Sequence, residues 1–191
     1  MLNEEQTIDI LKKTNSLLEG HFILSSGLRS EKYLQCAQLM MHADLAEKVC
    51  HSLAEKIKNE KISFDIIASP AIGGILVGYQ VSKFLNVPNI FVERVDNLFN
   101  LRRGFECNGK KVLILEDVIT TGKSSLECAS CLENLGANIA GYACIVDRSG
   151  GKSNINKIIS QISFNFPTYS ENNLPDHLKN IEATKPGSRK I

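Results

Sequence analysis

Apolar residues recur at helical spacing in some stretches of the chain and run without interruption in others. Within residues 4–18, Ile8, Leu11 and Leu18 stand among charged residues and predict an amphipathic helix. Residues 44–58 predict a second, with Leu45, Val49, Leu53 and Ile57 on one face. Between them lies a Ser/Gly-rich stretch, 25–30, with short β-like pieces on either side. Residues 64–68 form a short apolar strand that ends at Ser69 and Pro70, and Gly73 and Gly74 open a helix reaching about Leu85. Residues 89–93 predict the next strand, and the polar segment 94–109 has no periodicity. The clearest strand is 111–115, followed by a helix over 123–135 with Gly136 as its stop, then a strand over 139–146. Beyond Gly150 the pattern is lost. Strands that are apolar throughout are buried on both faces. Their alternation with helices predicts an α/β fold whose central, mostly parallel sheet is flanked by helices.

Composition narrows the function. The 191 residues carry 22 Lys plus Arg against 21 Asp plus Glu, a formal net charge of +1. There is no basic excess or stripe, so no nucleic-acid partner is expected, and an anionic ligand would be small and held locally. No apolar run approaches the ~18–20 residues of a membrane span, so no membrane partner is expected. The N-terminus is polar and acidic rather than a signal peptide, and the six cysteines are scattered. A cytoplasmic protein with reduced thiols is expected. Cys128 and Cys131 form a CxxC without a second ligand pair, which reads as two small residues on a buried helix.

The segment VLILEDVITTGKSS, residues 112–125, carries the chemistry. A buried strand delivers Glu116 and Asp117 to its C-terminal edge, where open α/β sheets bind ligands. A short loop with Thr120, Thr121, Gly122 and Ser124 leads directly into a helix, whose exposed N–H groups and dipole favour a phosphate. Gly122 permits close backbone approach and the hydroxyls add hydrogen bonds. The two carboxylates would repel a phosphate and suit sugar hydroxyls or a metal's shell. Together the features describe a phosphorylated sugar site. The Walker spacing is absent despite the string Gly122, Lys123, Ser124.

LEDVITTGKS resembles the phosphoribosyl-pyrophosphate (PRPP) motif of type I phosphoribosyltransferases. Further segments resemble the orotate phosphoribosyltransferase family in its short bacterial form: EGHFILSSGLRS (19–30) with YLQC (33–36), SPAIGGILVG (69–78), FVER (91–94) with LRRGF (101–105), and KPGSR (185–189). The resemblance covers nearly the whole chain. It implies a single domain over 1–191, with a small hood built from about 1–40 and the C-terminal tail, and a core over about 41–150. It implies a pentosyltransferase of pyrimidine biosynthesis that uses PRPP, orotate and Mg²⁺. It further implies a homodimer with shared active sites.

The resemblance also implies roles. Glu116 and Asp117 would hold the ribose hydroxyls, and Val118, Ile119, Thr120, Thr121, Gly122, Lys123 and Ser124 the 5′-phosphate, with Thr120 also near orotate. Arg148 would pair with the orotate carboxylate, beside Ser26 and Gly27. The other reading of Arg148 is a surface salt bridge with Asp147. Arg94 would reach the pyrophosphate in the partner subunit's site, with Arg102 or Arg103 assisting its departure. Residues 69–73 would form a turn facing the pyrophosphate and its Mg²⁺, which would be held mainly by PRPP and water, with no residue assigned as a metal ligand. The family's lid usually carries a lysine at the position of Leu98, and the long form has further lysines where Ser25 and Gly73 stand. Two other readings remain open at this point: a PRPP-binding regulator, or a weakly active enzyme for another base.

Overall fold

The structure is a computed structural model describing residues 1–24 and 26–186. Ser25 and the Gly187, Ser188 and Arg189 part of the C-terminal resemblance lie outside the described residues. The elements in chain order are α1 (Glu4–Lys13), β1 (Leu17–Ile23), β2 (Arg29–Leu34), α2 (Cys36–Met40), α3 (Ala43–Asn59), β3 (Ile66–Pro70), α4 (Gly73–Leu85), β4 (Asn89–Val95), β5 (Leu98–Leu101), β6 (Lys111–Ile119), α5 (Lys123–Glu133), β7 (Asn138–Asp147), β8 (Ile158–Ser163), β9 (Thr168–Tyr169) and α6 (Asp176–Lys179).

Six strands form the main sheet in the order β5-β4-β3-β6-β7-β8. All its neighbours pair parallel except β4 and β5. Leu53, Ile57, Val77, Leu113 and Ile145 fill one side of it beneath α3 and α4, and Ile114, Cys128 and Leu132 fill the other beneath α5. A second sheet, β1-β2-β9, is antiparallel, and the tail adds to it: Thr184 N–H donates to His21 O at 2.9 Å, and Thr184 O accepts from Ile23 N–H at 2.8 Å. N-terminal segment and chain end thus make one hood.

Four expectations change. The first helix stops at Lys13, and Leu18 belongs to β1, because Thr14 caps the helix and Asn15 turns the chain with φ +54°. The strand expected to end at Leu115 continues to Ile119, because β7 keeps pairing with it through the acidic pair. Residues beyond Gly150 are not patternless: β8 extends the main sheet and β9 the hood. Segment 94–109 begins as a hairpin rather than a structureless loop. Val95 pairs with Leu98 across the two-residue turn Asp96, Asn97, whose φ values of +50° and +65° suit the twist of a tight hairpin. Asp and Asn tolerate that left-handed backbone better than other side-chain-bearing residues.

Candidate active site

The C-terminal ends of β3, β4, β6 and β7 lie side by side, and nearly every candidate side chain emerges there. Glu116 and Asp117 are consecutive on β6, so alternation sends them to opposite faces of the sheet. Glu116 points toward α5, is 8% exposed, and accepts a hydrogen bond from Ser125 Oγ at Oε1, 3.1 Å away. Burial pushes its pKa to about 7, with the neighbouring Asp117 charge adding to the rise and Ser125 and Arg94 opposing it. Asp117 turns toward α4. Its Oδ1 accepts from Val118 N–H at 2.9 Å, and burial pushes its pKa up as well.

The turn after β3 is shaped around Asp117. A Cβ on Gly73 would sit 2.8 Å from both Asp117 carboxylate oxygens, so any side chain there would displace the acid. A Cβ on Gly74 would come 3.0 Å from Leu115 O, and one on Gly78 2.1 Å from the buried Ser69 Oγ. Glycines therefore let α4 press against β6 and β3. The Ala71–Ile72 peptide is cis, and Ile72 is 85% exposed.

Gly122 ends the loop after β6 with φ +76° and serves as N-cap of α5. A Cβ there would strike Ile155 Cδ1 at 2.9 Å. Lys123 N–H is capped by Thr121 Oγ1 at 3.3 Å and Leu126 N–H returns to Gly122 O, which leaves the N–H groups of Ser124 and Ser125 without a backbone acceptor. A cavity of about 50 Å³ is lined here by Glu116, Val118, Ile119, Thr120, Gly122, Lys123, Ser124 and Ser125. It has the scale of a single phosphate group and offers backbone donors at a helix start.

Arg148 follows β7, and its N–H donates to Ile119 O at 2.8 Å, which fixes it against the same loop. It is half-buried, and no carboxylate among the described residues forms an ion pair with it. Asp147, the alternative partner, instead accepts from Ser149 N–H at 2.8 Å. Burial draws the Arg148 pKa below the usual arginine value, opposed by neighbouring Tyr33.

Other expected residues are placed differently. Ser26 and Gly27 are exposed at the tip of the β1–β2 hairpin and make no hydrogen bond to the 116–124 segment. Arg94 is held within its own chain: Glu127 pairs with it, Asn97 O accepts from it at 2.6 Å, and its guanidinium lies 4.0 Å from the Phe99 ring centre. Arg103 grips Glu93 with two hydrogen bonds, 2.9 and 3.1 Å, and Arg102 lies 3.9 Å from the same carboxylate. Both sit at the base of the hairpin, while Leu98, 71% exposed, sits beside its tip. The sequence assigns no role to Ser125 or Glu127, although Ser125 donates to Glu116 and Glu127 pairs with Arg94. All six cysteines are unpaired, Cys131 half-buried and the rest buried. Among the described residues no cluster of three or more His, Cys, Asp or Glu is arranged to hold a metal ion, and no helix is long and apolar enough to cross a membrane.

Comparison with known proteins agrees with this geometry. A family model described as a phosphoribosyl transferase domain matches residues 40–172. Proteins named orotate phosphoribosyltransferase from Bartonella quintana and Brucella anthropi are 45% and 44% identical over 192 residues, covering 100% of each chain. Among solved structures, orotate phosphoribosyltransferase from Aeropyrum pernix superposes with a TM-score of 0.70 at 22% identity, over 82% of this chain and 92% of that one. The Mycobacterium tuberculosis enzyme in complex with inorganic phosphate gives 0.66 at 20% identity, over 82% and 95%. These two show the fold. With the acidic pair, the glycine-capped phosphate loop and the full-length relatives taken together, the chain belongs to the orotate phosphoribosyltransferase family of phosphoribosyltransferases.

Proposed function

We propose that this chain transfers the 5-phosphoribosyl group of PRPP to orotate, giving orotidine 5′-monophosphate and pyrophosphate in pyrimidine biosynthesis. The observation that carries the reading is Arg148: a half-buried guanidinium without a carboxylate partner among the described residues, on a residue whose backbone N–H is tied to Ile119 O beside the phosphate loop. Its planar fork matches a carboxylate in two parallel hydrogen bonds, which a neutral purine or uracil cannot offer.

The roles follow from position. Glu116 and Asp117 accept hydrogen bonds from the ribose hydroxyls from opposite faces of β6. Thr120, Thr121, Gly122, Lys123 and Ser124 enclose the 5′-phosphate. Orotate's ring nitrogen attacks the anomeric carbon as the bond to pyrophosphate breaks, with positive charge developing on the ribose. No side chain forms a covalent bond, so alignment is the main contribution, worth ~7–11 kcal/mol when reactants are well oriented. Fixed charges on the leaving group contribute ~3–4 kcal/mol each. The β4–β5 hairpin shields the anomeric centre from water.

The residues fit Mg²⁺ in a particular way. Glu116 Oε1 and Asp117 Oδ1 already accept hydrogen bonds, and the described residues form no metal cage, which suits an ion carried by PRPP oxygens and water. Residues 69–73 would face the ion, which would supply charge neutralisation for the pyrophosphate. We also propose a single domain over 1–191, a cytoplasmic location, and a homodimer in which Arg94 serves the partner's site.

The test is Arg148→Ala, measured for both substrates. Losing one member of a desolvated pair costs ~2–5 kcal/mol, so the KM for orotate rises at least ~30-fold while that for PRPP stays within about threefold. Equal effects on both substrates contradict the orotate assignment.

A further inference from the structure

We propose that Ser125 is a positioning residue for PRPP: its hydroxyl fixes the buried Glu116 carboxylate so that the second oxygen stays free and oriented for the ribose hydroxyls. This rests on the proposed ribose role of Glu116. Ser125 lies in the first turn of α5, immediately after the phosphate loop, and is 1% exposed. It donates to Glu116 Oε1 across nine residues, 3.1 Å away. A helix-start serine on an exposed position caps backbone N–H groups, whereas this one points into the sheet at a carboxylate. The bond ties β6 to α5, so the group that grips the ribose and the helix that grips the 5′-phosphate are held at a fixed spacing. A ligand carrying both groups then meets a site whose two halves are already in register.

The same bond acts on the charge. Glu116 needs its anion to accept from both sugar hydroxyls, and its pKa stands at about 7. The titratable groups that influence it are Asp117, next to it on its own strand, Cys128 on α5, Cys144 on β7 and Arg94 from β4. Of these only Arg94 favours the anion, and its contribution ranks below that of Ser125. Removing a hydrogen bond to a charged group shifts the ionisation equilibrium by about tenfold. At pH 7 that lowers the ionised fraction about fivefold, and at pH 9 hardly at all.

The experiment is a double-mutant cycle of Ser125→Ala and Glu116→Gln, reading PRPP affinity by calorimetry and the KM for each substrate at pH 7 and pH 9. Ser125→Ala is expected to weaken PRPP about fivefold at pH 7 and less than twofold at pH 9, with the orotate KM within twofold. In the Glu116→Gln background it should change PRPP affinity less than twofold, since the two residues act as a unit. Ser125→Thr, which keeps the hydroxyl, should restore the pH 7 affinity. An equal loss at both pH values, or additive losses in the cycle, shows a merely structural serine and overturns the proposal. If Glu116→Gln weakens PRPP but Ser125→Ala does not, the inference fails and the ribose assignment stands. If Glu116→Gln itself leaves PRPP affinity unchanged, both fail.

Discussion

Replacing Glu116 with glutamine should make the fold more stable at pH 8 while weakening PRPP binding. An ordinary glutamate has a pKa near 4.5; here burial first, and Asp117 second, raise it to about 7. A carboxyl group whose folded pKa is raised stabilises the fold most below the unfolded pKa, and that contribution is lost as pH climbs through the folded value. At 1.36 kcal/mol per tenfold, holding the anion above pH 7 costs about 3 kcal/mol. Glutamine is neutral at every pH and its amide can still meet Ser125 Oγ. It therefore removes the cost at pH 8, and removes less than ~1 kcal/mol at pH 5, where the wild-type side chain is already protonated. For a chain of this length 1 kcal/mol moves Tm by about 2–4 °C. Ligand-free melts should then put the variant about 5–10 °C above wild type at pH 8 and within about 3 °C at pH 5. The same offset at both pH values, or a lower Tm at pH 8, would refute the assignment of a destabilising buried charge.

Asp117→Asn removes a ribose contact that strengthens as charge develops at the anomeric carbon, so kcat/KM should fall ~100-fold or more with little change in Tm; near-normal turnover counts against the role. Leu98→Lys places a cation beside the exposed hairpin tip, where the side chain has room. The single-turnover rate should rise at least ~5-fold, as expected of ~1–3 kcal/mol of added charge stabilisation, and an unchanged rate shows that the arginines already suffice.

The central strands were legible because each carries a short apolar run, and β6 carries its acids and phosphate loop in one contiguous run. Helices α3 and α4 matched within about a residue for the same reason: their apolar spacing is uninterrupted. The hairpin was not legible. Its return strand has four residues, and its turn depends on positive φ at Asp96 and Asn97, a backbone state that Asp and Asn allow but do not announce. Strand β8 reads IISQIS, with Gln161 turned inward to donate to Thr7 Oγ1 at 2.9 Å, so its polarity disguised a buried position. Ser125 and Glu127 looked like ordinary helix residues, because their significance lies in what faces them across space. Gly73 gave no sign that the Asp117 carboxylate fills the room a Cβ would need.

The most direct test of the account is turnover itself: purified wild-type protein with PRPP and Mg²⁺, following orotate absorbance and released pyrophosphate together. The account predicts that orotate disappears with one pyrophosphate released for each, and that adenine, hypoxanthine and uracil give no comparable release. Pyrophosphate release with one of those bases but not with orotate, or tight PRPP binding with no consumption of any base, would contradict it.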